Sequence, residues 1–192
     1  MPGHWPDVIE FWFGEPGSVE RGLPRKAWFA KSDAFDAQIG DRFSEDIEAA
    51  AAGRLDAWQD TPLAALALVI LLDQFPRNVF RGTPRAFATD SRALAVARRI
   101  VERGFDMAYV PVERAFAYLP FEHAEDLETQ REALALFAKL PPCSSSASYL
   151  DYARRHHDVI ARFGRFPHRN EILGRASTPE EIEFLAQPGS GF

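Results

Sequence analysis

Polar side chains that can transfer protons or bind anions are concentrated in three segments of this sequence, each rich in aromatic residues. The first segment, residues 73–83, follows an apolar run and contains Asp73, Gln74, Arg77, Asn78 and Arg81. A carboxylate, amides and guanidinium groups in one short stretch can bind a polar ligand. The same groups can instead pair with one another and satisfy exposed backbone groups, as in structural ion-pair networks. Both interpretations stay open on the sequence.

The second segment, residues 118–126, places Glu122 and His123 beside further acids. A histidine flanked by carboxylates can act as a general base with an orienting acid, or as a metal ligand. The alternative is a helix start, because Glu125 and Asp126 follow a Pro-Phe turn and suit the positive end of a helix dipole. The sequence favours that alternative for Glu125 and Asp126 more than for His123.

The third segment, residues 156–170, alternates charges and rings around a proline and contains His156, Arg162, Arg165, His168, Arg169 and Asn170. Helical spacing turns at least one of its adjacent histidines, His156 or His157, partly inward. The arginines with His168 could form a cradle for a carboxylate or phosphate, because the guanidinium group offers a planar fork of donors. The alternative is an arginine network that pairs with acids elsewhere in the chain.

Sequence motifs of several known reactions are missing. There is no Gly-x-Ser-x-Gly turn, no phosphate-binding loop of the Walker type and no Gly-x-Gly-x-x-Gly motif. The histidines are not spaced as His-Glu-x-x-His, so the sequence predicts no metal site. No pattern identifies a cofactor.

The net charge and the apolar content of the chain indicate which kinds of partner and location to expect. The chain has 192 residues and a formal net charge of -6, which should repel nucleic acid and anionic membrane surfaces. The longest apolar run, residues 62–72, is about half of the roughly 20 residues that a membrane-spanning helix needs. A single cysteine, Cys143, and a start without the pattern of a secretory signal favour a reducing, cytoplasmic location.

Apolar residues recur with helical spacing along most of the chain, and sustained strand-like alternation is missing. The apolar residues 63–72 follow Thr61 and Pro62, a start signal for a helix that must be surrounded by others. Pro76 disfavours helical geometry at Phe75, so the chain is predicted to turn there and to project Arg77 and Arg81 away from the core helix. The predicted helices cover residues 7–13, 32–53, 62–72, 84–104, 112–119, 124–140, 149–163 and 179–185.

These patterns predict one all-α domain, residues 1–192, built from antiparallel helical hairpins. No repeat with a period near 34 residues is visible. The periodicity therefore leaves two arrangements open, a right-handed hairpin stack and a compact irregular bundle.

The three polar segments together resemble the signature of a bacterial family known as domain of unknown function 924, which is grouped with the tetratricopeptide-like helical proteins. Residues 72–78 with 81–87 resemble the first motif, 118–123 the second, and 156–170 with 173–178 the third. One position departs from the pattern, because Ala124 stands where the family carries a serine. The resemblance implies an all-α, tetratricopeptide-like fold. It implies no particular activity, because none is assigned to the family.

Three functions are compatible with these residues. The first is a binding module that holds a small anionic molecule or peptide group in a pocket lined by arginines and rings, with Arg77, Arg162, Arg165 and Arg169 converging on it. The second is an enzyme in which His123 or His156 forms a proton-transfer pair with Glu122 or Asp73. The third is a scaffold that binds a protein partner and uses the three segments only to hold its hairpins together.

Overall fold

The computed structural model describes residues 4–141 and 145–191, and within these ranges the chain is helical and has no strand. The all-α prediction is confirmed, in the form of a compact helical bundle. The α-helices are α1 Trp5–Phe13, α2 Asp33–Ala51, α3 Pro62–Val69, α4 Phe75–Val79, α5 Asp90–Glu102, α6 Pro111–Glu122, α7 Leu127–Phe137, α8 Ser146–Phe163 and α9 Pro179–Leu185. Cys143 lies outside the described residues.

Helix α3 is the centre of the core, as its uniformly apolar sequence predicts. It begins at Pro62 after an extended Thr61, and it packs against α1, α5 and α6. The stretch Pro62–Val79 is apolar and long enough to cross a membrane, but 78% of it is buried by the rest of the chain. Burial on every side is what a core helix needs to remove its apolar surface from water.

The prediction that the chain turns at Phe75 is wrong. Phe75 keeps helical dihedrals, φ −59° and ψ −38°, because a π-helical turn, Ile70–Gln74, joins α3 to α4. Proline cannot donate a hydrogen bond and would crowd the carbonyl four residues earlier in a regular helix. Here the Thr89 hydroxyl donates to that carbonyl, on Leu72, at 2.5 Å. The helix therefore continues past Pro76, and its wider turn brings both Asp73 and Gln74 to buried positions.

Replacing Thr89 by valine tests this account of the π turn. The valine side chain has the shape of threonine but no donor, so the buried Leu72 carbonyl would lose its partner. We expect the free energy of unfolding to fall by about 1–3 kcal/mol, the cost of a buried unsatisfied polar group. Urea denaturation of the two proteins measures the difference. A change within about 0.5 kcal/mol, as for an ordinary surface substitution, would contradict the account.

Two helices begin later than their sequence patterns predict. The helix expected from Pro84 begins at Asp90, because the short 3-10 helix Pro84–Ala86 comes first. Helix α7 begins at Leu127, and the Asp126 carboxylate caps it by accepting from the Thr129 amide at 2.8 Å. The helix-start interpretation of Asp126 is therefore confirmed.

The C-terminal part of the chain packs around a second, smaller apolar cluster. Its buried members are Val159, Ile160 and Phe166, with Leu127, Phe163 and Phe184 packed against them. Helix α8 ends at Gly164, whose φ of 71° suits glycine, and a 3-10 helix, Pro167–Arg169, follows. Helix α9 begins with a capping box, in which Thr178 and Glu181 satisfy each other's backbone amides. This arrangement carries residues 166–169 back towards the π turn.

Candidate functional site

The three segments identified from the sequence contribute to one buried polar cluster centred on Asp73. We define the central cluster as Asp73, Gln74, Arg77, Asp90, Glu122, His123, His156, His168 and Arg169, with the rings of Phe87 and Phe166. The π turn, α4, α5, the end of α6, α8 and the Pro167–Arg169 turn position these side chains.

Asp73 is fully buried and receives several polar partners. His123 Nδ1 lies 2.7 Å from its Oδ1, the Gln74 amide donates to its Oδ2, and Arg77 Nη1 lies 3.3 Å from Oδ1. Burial alone would raise the pKa of Asp73, but the positive Arg77 and the His123 contact outweigh it and hold that pKa well below its usual range. Asp73 is therefore a buried carboxylate at neutral pH.

The contact with Asp73 fixes the orientation of the His123 ring. A carboxylate can only accept, so His123 Nδ1 carries the hydrogen and Nε2 is left as the basic nitrogen. Burial lowers the pKa of His123, Arg77 lowers it further, and Asp73 opposes both. Within the described part of the chain Nε2 makes no hydrogen bond, and the side chain keeps 13% exposure. His123 therefore presents an oriented, unprotonated base.

The backbone that carries Glu122 and His123 is fixed by a glutamine of α7. Gln130 donates from Nε2 to the Glu122 carbonyl at 2.6 Å and to the Ala124 carbonyl at 2.8 Å. The Glu122 carbonyl is at the C-terminal end of α6, where helix geometry provides no intrahelical donor, and the Ala124 carbonyl lies in the turn that follows. The side chain of Gln130 thus joins α7 to the end of α6 and to the residues that follow it.

Glu122 and His156 form a second contact beside Asp73. Glu122 Oε1 lies 3.1 Å from His156 Nδ1, and His156 Nδ1 also lies 2.9 Å from the Tyr152 carbonyl. Burial, with the nearby Asp73 charge, raises the pKa of Glu122 to about 8. Burial, with His123, lowers the pKa of His156 to about 3. At neutral pH this pair is a protonated carboxylic acid beside a neutral imidazole.

Asp90 joins two arginines from distant parts of the sequence. Arg77 donates to both oxygens of Asp90, at 2.9 and 3.0 Å, and Arg169 Nη1 donates to Asp90 Oδ2 at 3.2 Å. Asp90 was not among the predicted site residues, because the helix that carries it was predicted to begin at Pro84. The signal was present, since Thr89 and Asp90 precede a clear helical periodicity, and such residues mark helix N-termini.

Arg169 is held between two aromatic rings. The centre of its guanidinium group lies 4.6 Å from the ring centroids of Phe87 and of Phe166. Burial and the neighbouring Arg77 lower the pKa of Arg169 to about 10, and burial and Arg169 lower the pKa of His168 to about 4. At neutral pH Arg169 is charged and His168 is neutral.

Five predicted site residues lie outside this cluster and have structural partners. Asn78 and Arg81 both contact Asp36 of α2, at 2.7 and 3.0 Å. In the third segment, Arg162 pairs with Glu180 at 2.9 Å, Arg165 pairs with both oxygens of Glu181 at 2.7 and 2.8 Å, and Asn170 donates to Ser177 and Glu181. The predicted convergence of Arg77, Arg162, Arg165 and Arg169 is therefore wrong, because α9 supplies acids that pair with two of them.

A clasp between Glu125 and Arg175 holds the third segment in place. Arg175 donates to both oxygens of Glu125, at 2.6 and 2.9 Å, and the Phe166 amide donates to the same carboxylate at 2.8 Å. Glu125 and Asp126 were both predicted at a helix N-terminus, but of the two only Asp126 caps α7. Local spacing could not show that a carboxylate in the α6–α7 turn would meet an arginine fifty residues later.

The residues in the described ranges include no group of three or more histidine, cysteine, aspartate or glutamate side chains arranged to hold a metal ion. In the central cluster, His123 contacts Asp73 and His156 contacts Glu122. The central cluster therefore contains two pairs in which a histidine and a carboxyl group lie within hydrogen-bonding distance.

Comparison with known proteins places this cluster in a family context. A family model described as a bacterial protein of unknown function (DUF924) matches residues 8–189. A solved structure of a protein of unknown function from Agrobacterium tumefaciens has 44% sequence identity and a TM-score of 0.84, over 95% of this chain and 96% of that chain. No curated protein matches the chain. The tetratricopeptide-like part of the resemblance stays a prediction.

Proposed function

Starting from the fact that the chain belongs to the bacterial family of unknown function DUF924, we propose that it is an enzyme that moves a proton on a small molecule bound at the central cluster. The observation that carries the proposal is the 2.7 Å contact of His123 Nδ1 with Asp73, a residue of the π-helical turn. Single π turns inside α-helices are frequent at functional sites.

In the proposed reaction the acids and the histidine have different roles. His123 Nε2 is the base, and Asp73 orients the imidazole and stabilises the charge that forms when His123 takes a proton. Glu122, protonated at neutral pH because its pKa is raised to about 8, is the acid that returns a proton. Pairs of ionisable groups whose environments move their pKa values apart are typical of acid–base sites.

Two other functions receive less support. A binding module that uses four converging arginines lacks that arrangement, since Arg162 and Arg165 pair with Glu180 and Glu181. A pure scaffold would not need Glu122 and His156 buried together, because burial of ionisable groups costs stability. The net charge of -6 supports a small molecule rather than nucleic acid as the partner.

Replacing His123 by glutamine tests the proposal. The purified protein is incubated in D₂O with the small-molecule fraction of a bacterial extract, and mass spectrometry follows deuterium content and the amount of each compound. We expect the wild type to alter at least one compound, and His123→Gln to slow that change by at least about a hundredfold, because a general base typically contributes that much.

The control is His157→Gln. His157 lies on the same helix as His156, and its polar contact among the described residues is with Asp158. This variant should retain the wild-type rate. Equal rates for the wild type and His123→Gln, or no compound altered by the wild type, would contradict the proposal.

A further inference from the structure

We propose that the substrate of this site is a small carboxylate, held by the Nε–Nη2 edge of Arg169. The inference rests on the proposed proton-transfer function and adds the chemical class of the molecule on which it acts. It is carried by the position, partners and surroundings of a single buried arginine.

Arg169 is 6% exposed, yet it uses only one of its terminal nitrogens in a hydrogen bond to the described residues. That bond runs from Nη1 to Asp90. The buried Nε has no hydrogen-bond partner within the described residues. Nη2 makes no hydrogen bond to them either, so the side of the guanidinium opposite Asp90 keeps its donors. A buried donor without a partner costs free energy, which a bound acceptor would recover.

The same edge of arginine binds carboxylates elsewhere in this protein. Arg165 donates from Nε and Nη2 to the two oxygens of Glu181, at 2.7 and 2.8 Å. Arg81 uses the same pair of nitrogens with Asp36, at 3.2 and 3.0 Å. Parallel donation from these nitrogens fits the two oxygens of one carboxylate. At Arg81 and Arg165 the Nε and Nη2 donors bind carboxylates of the chain itself. Arg169 has the same pair of donors available for the carboxylate of a ligand.

The rings around Arg169 fix the plane in which the ligand would lie. The ring centroids of Phe87 and Phe166 each lie 4.6 Å from the central carbon of the Arg169 guanidinium group. Contacts of this kind orient the planar group and leave its donor edges available. The rings also supply apolar surface for the part of the ligand next to its carboxylate.

The charges of the cluster favour a monoanion over a dianion. Two carboxylates, Asp73 and Asp90, face two guanidinium groups, Arg77 and Arg169. The other ionisable members are neutral at pH 7: Glu122, His123, His156 and His168. Glu125, beside them, is paired with Arg175. A ligand with two negative charges would be repelled by Asp73 and Asp90, whereas one charge can be offset by a proton taken up by a histidine.

Binding is tested by calorimetry and thermal unfolding with benzoate, acetate and sulfate at constant ionic strength. The wild type should bind the two carboxylates, and ligand binding to the folded state should raise its Tm. Arg169→Lys keeps the positive charge beside Asp90 but removes the fork, so affinity for benzoate should fall by about tenfold or more. Arg162→Lys, at an exposed pair with Glu180, is the matched control and should bind like the wild type.

A measurement on the unaltered protein covers the case in which Arg169→Lys fails to fold. The ¹H–¹⁵N resonance of Arg169 Nε should shift as benzoate is added, because the ligand supplies the acceptor that Nε lacks. Wild-type affinity in a folded Arg169→Lys variant, an unmoved Nε resonance, or sulfate binding as tight as benzoate binding would each overturn the substrate class.

Failure of this inference can be separated from failure of the proposed function. Benzoate binding that persists in His123→Gln, with the loss of deuterium exchange in that variant, supports both. His123-dependent chemistry on compounds that carry no carboxylate overturns the substrate class alone. Benzoate binding at Arg169, with no compound altered through His123, overturns the proton-transfer function alone.

Discussion

Replacing Arg77 by leucine is expected to lower the free energy of unfolding at pH 7 by about 3–5 kcal/mol, the usual cost of removing one partner from a buried ion pair. Arg77 contacts Asp73 at 3.3 Å and donates to both oxygens of Asp90. Asp73 is fully buried, so water cannot replace the lost guanidinium. The variant would keep the shape of much of the Arg77 stem and lose its charge, which makes the loss electrostatic rather than a loss of packing.

The pH dependence of this deficit distinguishes a charge effect from a packing defect. In the wild type the pKa of Asp73 is held below its ordinary 3.8, so its contribution to stability is present above that value and is lost as the pH falls through the lower folded value. In Arg77→Leu, only the His123 and Gln74 contacts still oppose the effect of burial, so the pKa of Asp73 rises. The deficit should then shrink as the pH is lowered and Asp73 becomes neutral.

Urea denaturation at several pH values measures the deficit in wild type and variant. The control is Arg162→Leu, which removes an arginine from an exposed pair with Glu180 and should cost less than about 1 kcal/mol. An Arg77→Leu deficit of similar size to the control, or one that is constant with pH, would show that Asp73 is not stabilised by Arg77.

Much of the fold could be predicted because its determinants are local. The uniformly apolar residues 63–72 predict a surrounded helix, and α3 is buried on all sides. Thr178 and Glu181 form the capping box that their spacing predicts. Backbone amides at a helix start need acceptors within a few residues, so sequence spacing alone identifies them.

The π turn could not be predicted because its cause is tertiary. Pro76 favours a turn in any local treatment of the backbone. The helix continues because Thr89, from a different segment, donates to the Leu72 carbonyl that proline leaves without a partner. The same reason explains the late start of α5, since the turn before it brings Thr89 and Asp90 to the π turn.

The kinds of residue in the site could be predicted from the sequence, but only some of the individual residues could. Proton-transfer groups were expected at Asp73, Glu122, His123 and His156, and these side chains do lie together. The arginines were harder to assign, because any arginine can pair with any acid that folding brings near. Glu181 pairs with Arg165, whereas no acid among the described residues contacts the Nε of Arg169. Which acid pairs with which arginine depends on the path of α9 through the fold, and helical periodicity does not determine that path.

Replacing Glu122 by glutamine is expected to stabilise the protein at alkaline pH. Glutamine keeps the shape of the protonated acid and an oxygen that can accept from His156 Nδ1. Burial, with the charge of Asp73, raises the pKa of Glu122 from 4.5 to about 8. A group whose pKa is raised on folding contributes stability below its ordinary pKa, and this contribution is lost as the pH rises to the folded pKa. Wild-type stability should therefore fall by about 1.4 kcal/mol per pH unit relative to Glu122→Gln within that window.

From pH 5 to pH 8 the difference between wild type and Glu122→Gln should thus change by about 4 kcal/mol, in favour of the variant at high pH. His156 and His168, whose pKa values folding lowers to about 3 and about 4, destabilise both proteins as the pH falls below 6.5. Their effect therefore cancels in the difference. Chemical denaturation from pH 5 to pH 8 measures the difference in the free energy of unfolding between the two proteins. The control is Glu128→Gln, at an exposed position of α7, which should follow the wild type. Parallel stability curves for wild type and Glu122→Gln would mean that Glu122 is ionised in the folded protein, and the acid that returns the proton would have to be another group.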